Sequence, residues 1–110
     1  MKVCLAILSL AISASVFAME KPLKVPSDSM AQFFVLEKGG EGAERTIVTK
    51  RTGSSGTSYS KRLYNCTDST VKYLGSGDSL AEMESSGADQ DMAPIVQGSI
   101  AYYVGVEACK

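Results

Sequence analysis

Histidine and tryptophan are both absent from the 110 residues. Without imidazole the chain lacks the usual neutral-pH base, proton shuttle and nitrogen ligand for a metal. Cysteine and proline number three each, and aromatic residues make up 7%. The formal net charge is only −1, so no bulk field demands nucleic acid or an anionic membrane as partner. A chain this short supports one small domain with a modest core and excludes a two-domain enzyme.

What is present begins with an apolar opening. Lys2 precedes the run Val3 to Ile12, and Ser15-Val16-Phe17-Ala18 closes it with the kind of residues a signal peptidase accepts. This predicts a signal peptide over residues 1–18, cut after Ala18. As a membrane anchor the run falls short of the ~20 residues required and is broken by Ser9, Ser13 and Ser15. Cys4 lies too early to accept a lipid at the cut. The mature chain is therefore expected to be exported, to the periplasm or the extracellular space, with no stable membrane anchor.

Cleavage removes Cys4 and leaves Cys66 and Cys109 in an oxidising compartment, where two remaining cysteines are expected to pair. Closing so long a loop is worth about 4 kcal/mol in the chain-entropy picture. Two cysteines without histidine cannot fill a tetrahedral zinc site, and no metal or cofactor is expected.

Along the mature chain, residues 19–30 hold Pro22 and Pro26 and read as an extended, mobile lead-in. Residues 31–110 read as a single β-rich domain. Ala31 to Glu37 predicts a strand that ends in Gly39-Gly40-Glu41-Gly42, and Arg45 to Arg51 predicts the next, with β-branched residues side by side. Gly53 to Thr57 is a turn, and Ser58 to Cys66 the return strand. Thr70 to Leu74 alternates and stops at Gly75-Ser76-Gly77-Asp78. Ser79 to Glu84 is expected to return as a fifth strand, although Ala81, Glu82 and Met83 lean helical. Ser85 to Gln97 reads as a polar loop. Gly98 to Lys110 is divided: Ser99 suits a helix cap with Ile100, Val104 and Ala108 on one face, while the valines and tyrosines suit a strand equally well.

Tyr64-Asn65-Cys66, then Met92-Ala93-Pro94-Ile95-Val96-Gln97-Gly98-Ser99-Ile100 and a terminal Ala108-Cys109 resemble the surface-adhesin protein E family of Gram-negative bacteria. In that family a tyrosine-containing strand ends at a cysteine, and a Trp-x-x-Ile-x-Pro-Gly-Ser stretch leads into a final helix closed by the second cysteine. Here Met92 or its neighbour stands where the family has Trp, and Gln97 replaces the Pro before Gly98. The resemblance covers Ser58 to Lys110. It implies an α+β fold, an antiparallel sheet of hairpins with a C-terminal helix tied across one face by the disulfide. It further implies a homodimer in many members, and binding of host extracellular proteins.

Several short motifs invite chemistry. Ser58-Tyr59-Ser60-Lys61 has Ser-x-x-Lys spacing, which works on one helical face; in a strand the two residues point to opposite faces. Lys50-Arg51 and Lys61-Arg62 flank the Gly53 to Thr57 turn. Folding about Ser55 sets Lys50 opposite Ser60 and Arg51 opposite Tyr59, gathering all four cations at one end of the hairpin as a contact patch for an acidic partner. The ordinary alternative is solvated strand charge that protects an edge. Asp89-Gln90-Asp91 lacks the fixed loop pattern of a calcium site. Asn65-Cys66-Thr67 fits a glycosylation sequon, with a cysteine expected to be disulfide-bonded in its middle. Tyr102 and Tyr103 point about 100° apart on a helix, so one packs on the sheet and the other faces solvent. A helical terminus would turn Ile100, Val104 and Ala108 inward and leave Glu107 exposed.

With no catalytic constellation, the expected function is an exported non-enzymatic domain that binds a protein partner or sits in the bacterial envelope. The alternative is a secreted inhibitor or immunity-type protein that blocks an enzyme with a loop such as Gly53 to Thr57 or Ser85 to Gln97.

Overall fold

A computed structural model describes residues 20–110; the expected signal peptide lies outside the described residues. Six strands form one antiparallel sheet in sequence order: β1 (Lys21–Leu23), β2 (Gln32–Glu41), β3 (Glu44–Gly53), β4 (Gly56–Asn65), β5 (Thr70–Gly77) and β6 (Ala93–Pro94). Two helices join them, α1 (Leu80–Ser85) and α2 (Ile100–Ala108), with a short 3-10 turn over Pro26–Asp28. The expected α+β architecture, with a C-terminal helix tied to the sheet by Cys66–Cys109, is the one observed.

Adjacent apolar residues in β2 and β3 explain why both faces of the sheet carry a helix. Successive strand residues point to opposite faces. Ile47 therefore joins Val35, Tyr64, Val104 and Ala108 under α2, while its neighbour Val48 joins Leu36 and Met83 under α1. The same alternation puts Leu36, next to Val35, on the α1 face, and a β-bulge between Val35 and Glu37 leaves it without a partner on β3.

Four local expectations change. Ser79 to Glu84 is not a strand: the Ser79 hydroxyl accepts from Glu82 N, and the Glu82 carboxylate accepts from Asp78 N, so a reciprocal cap starts α1 instead. The lead-in is part of the domain, because Lys21, Pro22 and Leu23 pair with Val35, Phe34 and Phe33. Pro22 is tolerated there because β1 is an edge strand. The hairpin of β3 and β4 turns through two residues, Ser54 and Ser55, which places Gly53 opposite Gly56, Lys50 opposite Tyr59 and Arg51 opposite Ser58, one residue from the expected register. The polar stretch after α1 contributes β6, which pairs Ala93 and Pro94 with Val71 and Thr70.

The ambiguous terminus is helical. The Ser99 hydroxyl accepts from Tyr102 N at 3.1 Å and caps α2. Gly105 lets the helix lie directly on the ring of Tyr64, and the Tyr64 hydroxyl donates to Ala101 O at 2.6 Å, one turn earlier. Tyr102 and Tyr103 are both half-buried and pack edge to face at 5.1 Å, rather than dividing between sheet and solvent. Sheet contact falls to Val104 and Ala108, with Ile100 partly buried beside them.

Candidate functional site

The hairpin cations are not gathered on one face. Residues opposite each other across a ladder share a face, so Lys50 and Lys61, opposite Tyr59 and Val48, lie on the α1 face, while Arg51 and Arg62, opposite Ser58 and Ile47, lie on the α2 face. Three of the four are engaged. Lys50 donates to Glu20 and sits over the Phe34 ring; that hydrogen bond holds its ammonium above the usual lysine range. Arg51 donates to both carboxylate oxygens of Asp28, which raises its own pKa. Arg62 is only 5% exposed, donates to Thr49 Oγ1 at 3.2 Å and to the Tyr73 hydroxyl at 2.9 Å, and stacks 4.7 Å from the Tyr73 ring centre. Lys61 has no ion-pair partner among the described residues.

The register also separates Ser58 from Lys61, which sit on opposite faces of the sheet. Among the described residues no three His, Cys, Asp or Glu side chains are placed to hold a metal. Asp89 has a local task instead, bonding through its own N and carboxylate to the backbone of Tyr73. Asn65 is occupied as well: its carbonyl oxygen accepts from Thr67 N and Asp68 N, and its amide donates to Asp68.

Glu107 corrects a sequence expectation. It is 4% exposed, not solvated, and takes Lys21 at 3.3 Å, Lys38 at 3.4 Å and Lys110 at 3.1 Å. Burial pushes its carboxyl up, but hydrogen bonds from Lys110 and Lys21 and the charge of Lys38 outweigh this and hold it below the ordinary glutamate value. The cluster ties β1 and β2 to the end of α2.

Turning Glu107 inward leaves α2 without a charged residue on its outer side, since the other eight are Ile, Ala, Tyr, Tyr, Val, Gly, Val and Ala. Val106 on that side is 49% exposed, and nearby Val96 is 70% exposed. Between α2 and the segments 65–69 and 95–97 runs an open groove of about 280 Å³, with walls that include Ile95, Tyr102, Val106 and the disulfide, and with Ser69 and Gln97 as polar members. A second groove, about 420 Å³, lies along the lead-in between Pro22, Val25, Pro26 and Phe33.

The groove beside the disulfide is assembled from three separate stretches of chain, which is why no local motif announces it. Its sequence signal is the composition of α2, whose nine residues carry one charge. No protein-family model, curated protein or solved structure matches this chain. No helix among the described residues is long and apolar enough to cross a membrane.

Proposed function

We propose that the chain is an exported, non-enzymatic domain, periplasmic or extracellular, that binds another protein, as its resemblance to surface adhesins implies. The observation that carries this reading is the outer side of α2. A helix lying on one face of a sheet ordinarily shows water a polar face, and this one presents exposed Val106 and half-buried Tyr102, with Val96 nearby. Exposed apolar surface grouped around a groove is characteristic of protein interaction sites. The Cys66–Cys109 disulfide, with half-buried sulfur-bearing residues, suits an oxidising compartment.

The test uses the purified mature chain, residues 19–110, immobilised and presented with two panels: purified extracellular-matrix proteins and purified secreted hydrolases. Saturable binding to matrix proteins is expected. Stoichiometric inhibition of one hydrolase would assign the inhibitor class instead, a reading favoured by the exposed Ser54-Ser55 tip between two ten-residue strands. No binding to either panel overturns the protein-binding reading.

A further inference from the structure

We propose that the groove beside the Cys66–Cys109 disulfide receives one uncharged apolar side chain from an extended segment of a protein partner, whose backbone bonds to Ser69 and Gln97. The proposal rests on the protein-binding reading above and specifies where and what the domain binds.

Size sets the class of occupant. An open groove of about 280 Å³ is at or under the lower end of the roughly 300–1,000 Å³ that small-molecule sites occupy, whereas a single phenylalanine or leucine side chain fits within it. Chemistry narrows it further. Every residue lining the groove is uncharged: Cys66 and Cys109 are joined, and Ile95, Tyr102, Gly105 and Val106 supply hydrocarbon. A charged anchor would lose its hydration there and find no counter-ion.

The polar lining residues indicate a peptide backbone. Asn65 has its side-chain amide and carbonyl engaged within the 65–68 turn. The side chains of Ser69 and Gln97 make no hydrogen bond among the described residues, and both are exposed. Ser69 also has φ 56°, a left-handed conformation that a non-glycine residue adopts at a cost of order 1 kcal/mol or more. Its backbone is held there while its carbonyl accepts from Ile95 N at 3.1 Å, which fixes the spacing between the two polar sides. A hydroxyl on one side and an amide on the other offer donors and acceptors of the kind an extended chain presents.

A second copy of the chain is a poor occupant of this surface. Nine helical residues span about 14 Å, and one face is about 10 Å wide. That footprint is several times smaller than the roughly 800 Å² per partner of a standard stable interface. A short segment with one anchoring side chain matches the footprint, with affinity set by that anchor.

The experiment is an NMR titration of the oxidised mature protein with the acetylated, amidated pentapeptide Gly-Ser-Phe-Ser-Gly and its counterpart with Asp at the centre. The Phe peptide is expected to shift the amides of Ser69, Gln97, Tyr102 and Val106, with a dissociation constant on the order of millimolar, and the Asp peptide to bind at least about tenfold more weakly. Val106→Glu places a charge on a half-exposed position and is expected to abolish the shifts; Gln97→Glu, at an exposed position that lines the groove, serves if that variant fails to fold. Equal response to both peptides, shifts confined to the lead-in groove near Val25 and Phe33, or no shift at about 10 mM peptide overturns the proposal. Matrix-protein binding that survives a folded Val106→Glu removes this groove but keeps the protein-binding function. Peptide binding without any protein partner does the reverse.

Discussion

The ring of Tyr64 occupies the space that a side chain at Gly105 would need: a Cβ there would fall 2.7 Å from Tyr64 Cε1. Both residues are buried, and the contact sets the height at which α2 rides on the sheet. Gly105→Ala improves helix propensity by about 1 kcal/mol, yet the added methyl must displace a ring packed against the helix. Overpacking of this kind costs roughly 1–3 kcal/mol. The expected net result is a melting temperature lowered by several degrees, since ~1 kcal/mol moves a domain of this size by roughly 4–8 °C. Val106→Ala, on the outer side of the same helix, is the control and should stay within about 0.5 kcal/mol of the parent. A Gly105→Ala protein as stable as the parent would mean that α2 is free to lift.

Tyr64 also links stability to alkaline pH. Burial raises its phenol well above the ordinary value of 10, against a lowering by the Arg62 charge and with a further rise from Tyr73. Above pH 10 the unfolded chain releases this proton while the folded chain keeps it, so stability is complete below pH 10 and falls as pH rises beyond it. Tyr64→Phe should cost about 1 kcal/mol at neutral pH, from loss of the bond to Ala101 O. Its stability should also decline less steeply than the parent's between pH 10 and 12. Parallel decline in denaturant titrations of both proteins would show that this phenol does not govern alkaline unfolding.

Glu107 gives the opposite pH signature. Its folded pKa is depressed below 4.5, so its contribution is present above that value and is lost as pH falls through the lower folded value. Glu107→Gln should therefore be less stable than the parent at pH 7, with the difference narrowing below pH 4.5. Thermal melts at pH 7, 5 and 3 measure this. A gap that stays constant across the series would assign the loss to packing rather than to charge.

These long-range ties mark the limit of what the sequence made legible. Strands were readable because β-branched residues and glycine turns are local signals, and Ile47-Val48 even carried the two-sided burial in its lack of alternation. Ser79-Leu80-Ala81-Glu82 likewise contained the capping pattern that starts α1, where the expected strand took the turn at Gly75 to Asp78 as its guide. Glu107 was opaque for a different reason: two of its cations lie 86 and 69 residues away, so nothing beside it distinguishes a buried carboxylate from a solvated one. The hairpin register failed because Gly53-Ser54-Ser55-Gly56-Thr57 permits a turn of two or three residues, and one residue of slip exchanges the faces of a strand. The groove beside the disulfide draws on residues 65–69, 95–97 and 102–109, which only the assembled sheet brings together.

Splitting the hairpin cations by face predicts unequal effects. Lys61→Gln should change stability by less than about 0.5 kcal/mol. Arg62→Gln removes a buried guanidinium and leaves the buried Thr49 hydroxyl short of a partner, while the exposed Tyr73 turns to water, a loss of roughly 1–3 kcal/mol. Urea unfolding of the two single variants distinguishes them. Equal, small effects would mean that Arg62 swings out to water at little cost.

Reduction should release α2 before the hairpins. The disulfide spans 43 residues and closes a loop that contains β5, α1, β6 and α2, and its chain-entropy contribution is about 4 kcal/mol. Nine residues are too few for a helix to persist alone in water, and Gly105 weakens it further. In reduced protein α2 therefore depends on Val104 and Ala108 against the sheet, on Tyr64 to Ala101, and on the Glu107 lysines. The pairs between β2, β3 and β4 need none of these contacts for their backbone bonds. Hydrogen exchange on the reduced protein should accordingly show early loss of protection over Tyr103 to Cys109, with β3 and β4 retained. The opposite order, or simultaneous loss throughout, would mean that helix and sheet unfold as one unit and that the disulfide stabilises the whole domain rather than α2 alone.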